Sequence, residues 1–178
     1  FYEREVALGG YFMEIKGWER AHGYRANEAT LLAKYRDRVP AREHEWDSRH
    51  FWEVSNAEHL ELSESVGMIN LSHFAIYDIA GPDAESLLEY LSVARVGGPT
   101  PVGKGVYTHF LDENGGIKAD LTIVRLDATS LRVTCGGDTG HRDLAWIQRM
   151  AAARGADITL LNQTHPLPTL GLWGPKAR

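Results

Sequence analysis

The stretch Gly105–Thr134 (GVYTHFLDENGGIKADLTIVRLDATSLRVT) constrains this chain most, because it reads as strand, tight turn, strand, turn, strand. Asn114–Gly115 suits a type I′ turn, whose two central residues both need φ > 0. A two-residue loop there sets a register in which Glu113 faces Gly116, Leu111 faces Lys118, His109 faces Asp120 and Tyr107 faces Thr122. Side chains alternate along a strand, so Val106, Thr108, Phe110, Ala119, Leu121 and Ile123 share a core-directed face. Tyr107, His109, Lys118, Asp120 and Thr122 gather on the other. A five-residue loop, Asp112–Gly116, slips the pairing by one and separates Tyr107 from Asp120. Alternation alone does not choose between the two loops, nor between a solvated polar face and a chemical one.

With 178 residues the chain is long enough for a domain with a real core. A net charge of −5 argues against a nucleic-acid or anionic-membrane partner, and no apolar run reaches the length that spans a bilayer. The one cysteine, Cys135, makes no internal disulfide, which points to a reducing compartment. Phe1 is not Met and no secretory signal opens the chain. The last residues, Gly174-Pro175-Lys176-Ala177-Arg178, look like the start of a helix. The chain therefore reads as a piece of a longer protein.

In order, residues 1–8 form a short helix ended by Gly9–Gly10, and Tyr11–Ile15 is extended or turn-rich. A helix over Asn27–Val39 carries Leu31, Leu32 and Tyr35, with Asn27 as N-cap and Pro40 as stop. Residues 40–50 are polar. His44, Glu45, Asp47 and His50 lie there without a metal-ligand spacing, so a solvated loop and no metal is expected. A second helix covers Ser55–Val66, with Gly67 as its C′ residue. Phe74–Ile79 is a strand, broken by Gly81-Pro82-Asp83-Ala84, which starts a helix bearing Leu87, Leu88 and Leu91. Ser72 and His73 are adjacent in an extended run and point to opposite sides, so they make no nucleophile–base pair. After the central meander, Asp138 or Thr139 caps a helix to Arg154 with Leu144, Ile147 and Met150 or Ala151 as its stripe. Residues 157–161 and 169–173 read as strands.

Gly81-Pro82-Asp83-Ala84 after one strand is echoed by Gly174-Pro175-Lys176-Ala177 after another, which suggests two similar α+β half-units. The expected class is α+β, with antiparallel sheets and packed helices. The divisions are a helical and loop segment at 1–50, a first α+β subdomain at 51–163, and the start of a second at 164–178. No P-loop, HExxH, CxxC or dinucleotide-binding fingerprint occurs.

Several stretches then occur in a telling order: Gly17-Trp18-Glu19, Val66-Gly67-Met68, Leu71-Ser72-His73, Gly81-Pro82-Asp83-Ala84, Tyr107, Asn114-Gly115-Gly116-Ile117, Asp120-Leu121 and Gly174-Pro175-Lys176-Ala177. The set resembles the N-terminal part of the glycine-cleavage T-protein (aminomethyltransferase) family. Ala119-Asp120-Leu121-Thr122, Arg142-Asp143-Leu144-Ala145-Trp146 and Leu170-Gly171-Leu172-Trp173-Gly174-Pro175 are more similar to the folate-binding half of dimethylglycine and sarcosine dehydrogenases.

The resemblance implies subdomains in a ring around a tetrahydrofolate cavity. It implies transfer of an aminomethyl or iminium carbon to form 5,10-methylenetetrahydrofolate. By position it gives Asp120 the catalytic role, and Tyr107, Asp120, Phe74 and Cys135 contact with the folate. Asp120 is the second of two family aspartates, the first being Ala119 here. Phe74 stands where many T-proteins have methionine, and Cys135 where they have asparagine. His109 has no family role. The pterin-clasping residues of the family lie beyond Arg178, and residues 25–47 are branch-specific. The implied partners are a small N-methyl amine or aminomethyl donor and the rest of the same polypeptide. The dehydrogenase branch adds an FAD domain before Phe1, in the cytoplasm or, in a eukaryote, the mitochondrial matrix. The same fold also suits a folate-dependent O- or S-demethylase that yields 5-methyltetrahydrofolate, or a folate-binding module without catalysis. The need for Tyr107 and Asp120 to address one ligand selects the register that keeps them on one face.

Overall fold

The computed structural model describes residues 1–44, 51–98 and 100–178. Glu45, Asp47 and His50 lie outside the described residues, and no cluster of metal-ligating side chains occurs among the described ones. No helix among them is long and apolar enough to cross a membrane. The chain forms two compact units, residues 71–169 and residues 1–70 with 170–178. Residues 170–178 belong with 1–70 because β9 (Leu170–Trp173) pairs back on β3 (Gly67–Asn70).

The unit 71–169 is an antiparallel five-stranded sheet with two helices. Its strands are β4 (Ala75–Ala80), β5 (Gly105–Leu111), β6 (Ile117–Arg125), β7 (Ser130–Cys135) and β8 (Thr159–Asn162), in the order β5-β6-β7-β4-β8. The helix Ala84–Leu91 buries Ala84, Leu87, Leu88 and Leu91, as its stripe predicts. The helix Gly140–Arg154 buries Trp146, Ile147, Met150 and Ala151 and ends on Gly155 in the left-handed region. Against them lies the sheet face of Phe110, Leu121, Ile123, Leu131, Val133, Tyr77 and Ile79. Thr108 and Ala119 are buried on that face too, so the predicted core face of the central hairpin is the observed one. The loop after Leu91 is held by carboxylates. Glu89 accepts the backbone N–H of Val96 and Gly97 at 2.7 and 2.9 Å, and Glu85 accepts that of Gly98 at 2.7 Å while pairing with buried Arg125 at 2.6 Å.

The other unit opens with the helix Tyr2–Ala7 and a hairpin of β1 (Gly10–Ile15) and β2 (Trp18–Tyr24). The sequence reading missed β2, because its turn, Lys16–Gly17, carries lysine in a left-handed position. A continuous helical run over residues 25–38 follows, with a π-helical section at Glu28–Leu32. It starts two residues before Asn27, whose amide donates to Glu58 at 2.7 Å instead of capping. The helix Trp52–Glu64 starts three residues earlier than Ser55, and Gly67 opens β3 instead of capping the helix.

The two Gly-Pro-x-Ala joints share a local geometry. Gly81 follows β4 at φ 134° and its carbonyl accepts the Ala84 N–H at 3.2 Å. Gly174 follows β9 at φ 115° and accepts the Ala177 N–H at 3.1 Å. A Cβ at either glycine would lie within 2.5 Å of a backbone oxygen, of Asp157 or of Ser65, so only glycine fits.

Candidate functional site

The central hairpin joins Tyr107 and Asp120, by a route other than a type I′ turn. Asn114 does not have positive φ; Gly115 does, at 81°. The Gly115 N–H donates to the Asp112 carbonyl at 3.0 Å and the Asp112 N–H donates to the Gly116 carbonyl at 2.9 Å. This is the five-residue connection, a turn closed by a left-handed glycine. The Asp112 carboxylate reinforces it by accepting the N–H groups of Gly116 and Asn114 at 2.8 and 3.0 Å, which hold its carboxyl below the usual range.

Leu111 therefore pairs with Ile117, not with Lys118. The ladder then skips Lys118, so that Phe110 faces Ala119, His109 faces Asp120 and Tyr107 faces Thr122. A bulge of one residue restores the register that a two-residue loop would have set. Lys118 itself leaves the polar face: its ammonium lies 5.0 Å from the ring centre of Trp146, a core residue.

On the face turned away from the helices, the Tyr107 hydroxyl donates to Asp120 Oδ2 at 3.4 Å. The Tyr107 and His109 rings meet edge to face, 5.4 Å apart. Tyr107 is 63% exposed and Asp120 is exposed, so in this chain the face is open. Cross-strand neighbours extend it: Thr122 lies opposite Thr134 on β7, and Thr134 opposite Ile76 on β4. One row further, Asp78 takes both Nε and Nη2 of Arg132 at 2.7 and 2.9 Å, a fork-to-fork pair that raises the guanidinium pKa. The sequence reading passed over Thr134, Asp78 and Arg132, although the alternation of β4 and β7 carries the signal.

Cys135 is not on this face. It lies opposite Leu121 and Ala75, both core residues, and is 4% exposed. Burial, with the Asp143 carboxylate beside it, pushes its thiol up to about 12, so it stays a neutral packing group. The structure thus separates Cys135 from Asp120 across the sheet. Phe74 sits in the turn before β4, half-buried, its N–H on the Leu71 carbonyl at 2.9 Å and its ring 5.0 Å from His73. In the strand order β7 stands between β4 and the strand of Asp120.

Chemically, Tyr107 and Asp120 offer a carboxylate acceptor beside a flat aromatic wall, with hydroxyls of Thr122 and Thr134 nearby in the ladder. Such a set suits a planar heterocycle with N–H donors, or a small cation.

Comparison with known proteins bears on which. The profile of the GCVT N-terminal domain family matches residues 1–178. The 4-methylaminobutanoate oxidase (formaldehyde-forming) of Paenarthrobacter nicotinovorans is 31% identical over 175 residues, which are 98% of this chain and 20% of that protein. An aminomethyltransferase of Bordetella avium is 36% identical over 124 residues, 68% of this chain and 33% of that protein. Among solved structures, the glycine cleavage system aminomethyltransferase T from Bartonella henselae shares the fold, with a TM-score of 0.74 at 22% identity, over 99% of this chain and 40% of that one. The chain thus spans about a fifth to a third of the length of these curated relatives.

Proposed function

The chain belongs to the GCVT N-terminal domain family, and on that premise we propose that it supplies part of a tetrahydrofolate-dependent one-carbon transfer site, with Asp120 as its working carboxylate. The observation that carries this reading is the Tyr107–Asp120 contact of 3.4 Å on one open sheet face, in a chain matched by the family from end to end. The α+β fold is that of the aminomethyltransferase T structure.

Tetrahydrofolate, when bound, supplies the ring nitrogens that take up the carbon. An ionised carboxylate is acceptor-only, so Asp120 can hold a ligand N–H in line or balance the positive charge of an iminium donor. Tyr107 does two things: its ring presents a flat wall, and its hydroxyl restricts rotation of the Asp120 carboxylate. Fixing one reactant against the other supplies rate through orientation. The acceptor set fits the group. Cys135 belongs to the packing beneath the sheet, and Phe74 stays a candidate wall at the β4 end.

The parent protein is proposed to be a flavin-linked N-demethylating enzyme of the dimethylglycine and sarcosine type. Supporting this, the match to the formaldehyde-forming oxidase covers almost the whole chain, and that protein is named for an N-methyl amine. In the full-length protein, Asp120→Ala is expected to cut formation of 5,10-methylenetetrahydrofolate while flavin reduction by the amine continues. The measurement is folate product yield against flavin bleaching. An undiminished yield removes Asp120 from the site, and 5-methyltetrahydrofolate as product would instead select intact methyl transfer.

A further inference from the structure

The pairing of Tyr107 and Asp120 on one face depends on Lys118, the residue skipped in the β5–β6 ladder. The loop closes at Leu111 and Ile117. A straight ladder from that pair sets Phe110 against Lys118, His109 against Ala119 and Thr108 against Asp120. Partners in a ladder share a face, so Asp120 would join Thr108, which is 2% exposed, in the core. The bulge prevents this, and a bulge leaves backbone groups without ladder partners.

The carbonyl of Lys118 does find a donor. Arg142 Nη2 reaches it at 2.6 Å from the first turn of the helix Gly140–Arg154. The same guanidinium donates from Nε to Asp143 Oδ1 at 3.1 Å. Asp143 is 2% exposed, and its second oxygen accepts the Thr139 hydroxyl at 2.8 Å. A buried carboxylate is costly unless paired, so Asp143 fixes the arginine where it stands. The Lys118 ammonium packs over Trp146 of the same helix, whose ring also lies 4.4 Å from the Arg149 guanidinium. Both ends of the extra residue are therefore gripped by one helix.

We propose that Arg142, held by Asp143 and Thr139, is a positioning residue for Asp120: by capping the Lys118 carbonyl it locks the bulge that turns Asp120 onto the face of Tyr107. The proposal rests on the reading of Asp120 as the working carboxylate. Arg142 itself adds little to the core, since its side chain is 58% exposed and the helix packs through Trp146, Ile147, Met150 and Ala151. Its loss acts on the placement of one carboxylate.

The test uses the full-length protein and its folate-coupled turnover. Arg142→Ala is expected to lower kcat about 10- to 100-fold, the scale on which a displacement of one ångström acts, with KM nearly unchanged. Arg142→Lys recovers part of the rate. Millimolar guanidinium ion restores R142A and does nothing for Asp120→Asn. In D120N the further change R142A costs nothing, because Arg142 acts only through Asp120. If R142A fails to fold, R142K and Thr139→Val carry the test through the same kcat loss.

Wild-type kcat in folded R142A and R142K, effects that add to those of D120N, or absence of rescue by guanidinium each overturn the proposal while the site reading survives. Wild-type turnover in D120N overturns the site reading and this proposal with it.

Discussion

The two hairpins, β1–β2 and β5–β6, invert the usual relation between turn sequence and turn geometry. Asn114–Gly115 has the composition of a type I′ turn, yet sits in a five-residue connection where only Gly115 is left-handed. Lys16–Gly17 lacks that composition, yet both residues have positive φ, 52° and 86°, and Ile15 pairs directly with Trp18 across a two-residue loop. The Glu14 carboxylate accepts the Gly17 N–H and helps hold it. Each ladder also skips one residue, Lys118 in one and His22 in the other. Turn residues state which conformations are cheap. Which one is used depends on what the strands must bury.

The largest difference between the hairpins lies in what they bury. Phe110 is fully buried in the β5–β6 hairpin, so Phe110→Ala is expected to cost about 3–5 kcal/mol in denaturant unfolding. A cost below about 1 kcal/mol would mean that turn chemistry, not burial, sets that register. Next comes Gly115→Ala. A Cβ there meets nothing within 4 Å, so the cost is backbone strain alone, about 1–2 kcal/mol. Lys16→Gly sharpens the contrast in the opposite direction: relief of a left-handed lysine, less the entropy glycine adds to the unfolded chain, should stabilise by about 0.5–1 kcal/mol in the same melts.

The smallest effect is the acid response of Asp112. Its folded pKa is depressed by the Gly116 and Asn114 N–H groups. Its contribution is therefore complete above the unfolded carboxyl pKa and is lost as pH falls through the depressed folded value. Asp112→Asn should flatten that acid limb slightly, read from unfolding midpoints at stepped pH. The site is exposed, so added salt shrinks the difference.

Much of the unit 71–169 was legible. The stripe of Leu87, Leu88 and Leu91, the stripe of Leu144, Ile147 and Met150 or Ala151, and the alternation of Val106, Thr108, Phe110, Ala119, Leu121 and Ile123 all locate the observed core, with Leu144 and Val106 half-buried at its edge. The α+β class and its antiparallel sheet follow from these. Cys135 carried a signal that its reading as a folate contact did not use: Leu131, Val133 and Cys135 alternate onto one face, the core side of the sheet. Its position in a family motif spoke for the ligand face, and parity prevailed because a strand cannot turn one residue alone. The β2 strand was not legible. Nothing local marks Lys16 as left-handed, and the cost of that conformation is met by pairing along the whole ribbon.

The order of apolar residues sets the periods of strand and helix, and hence the two faces of the central hairpin. It also puts Tyr107 and Asp120 on one of them if the register holds. How the register holds is a matter of contacts distant in the chain. The extra residue at Lys118 has no signature in the strand, because its carbonyl partner, Arg142, lies 24 residues away on a helix held by a buried aspartate. Periodicity is a local property of the chain. A bulge is stable only when something distant satisfies the backbone it exposes.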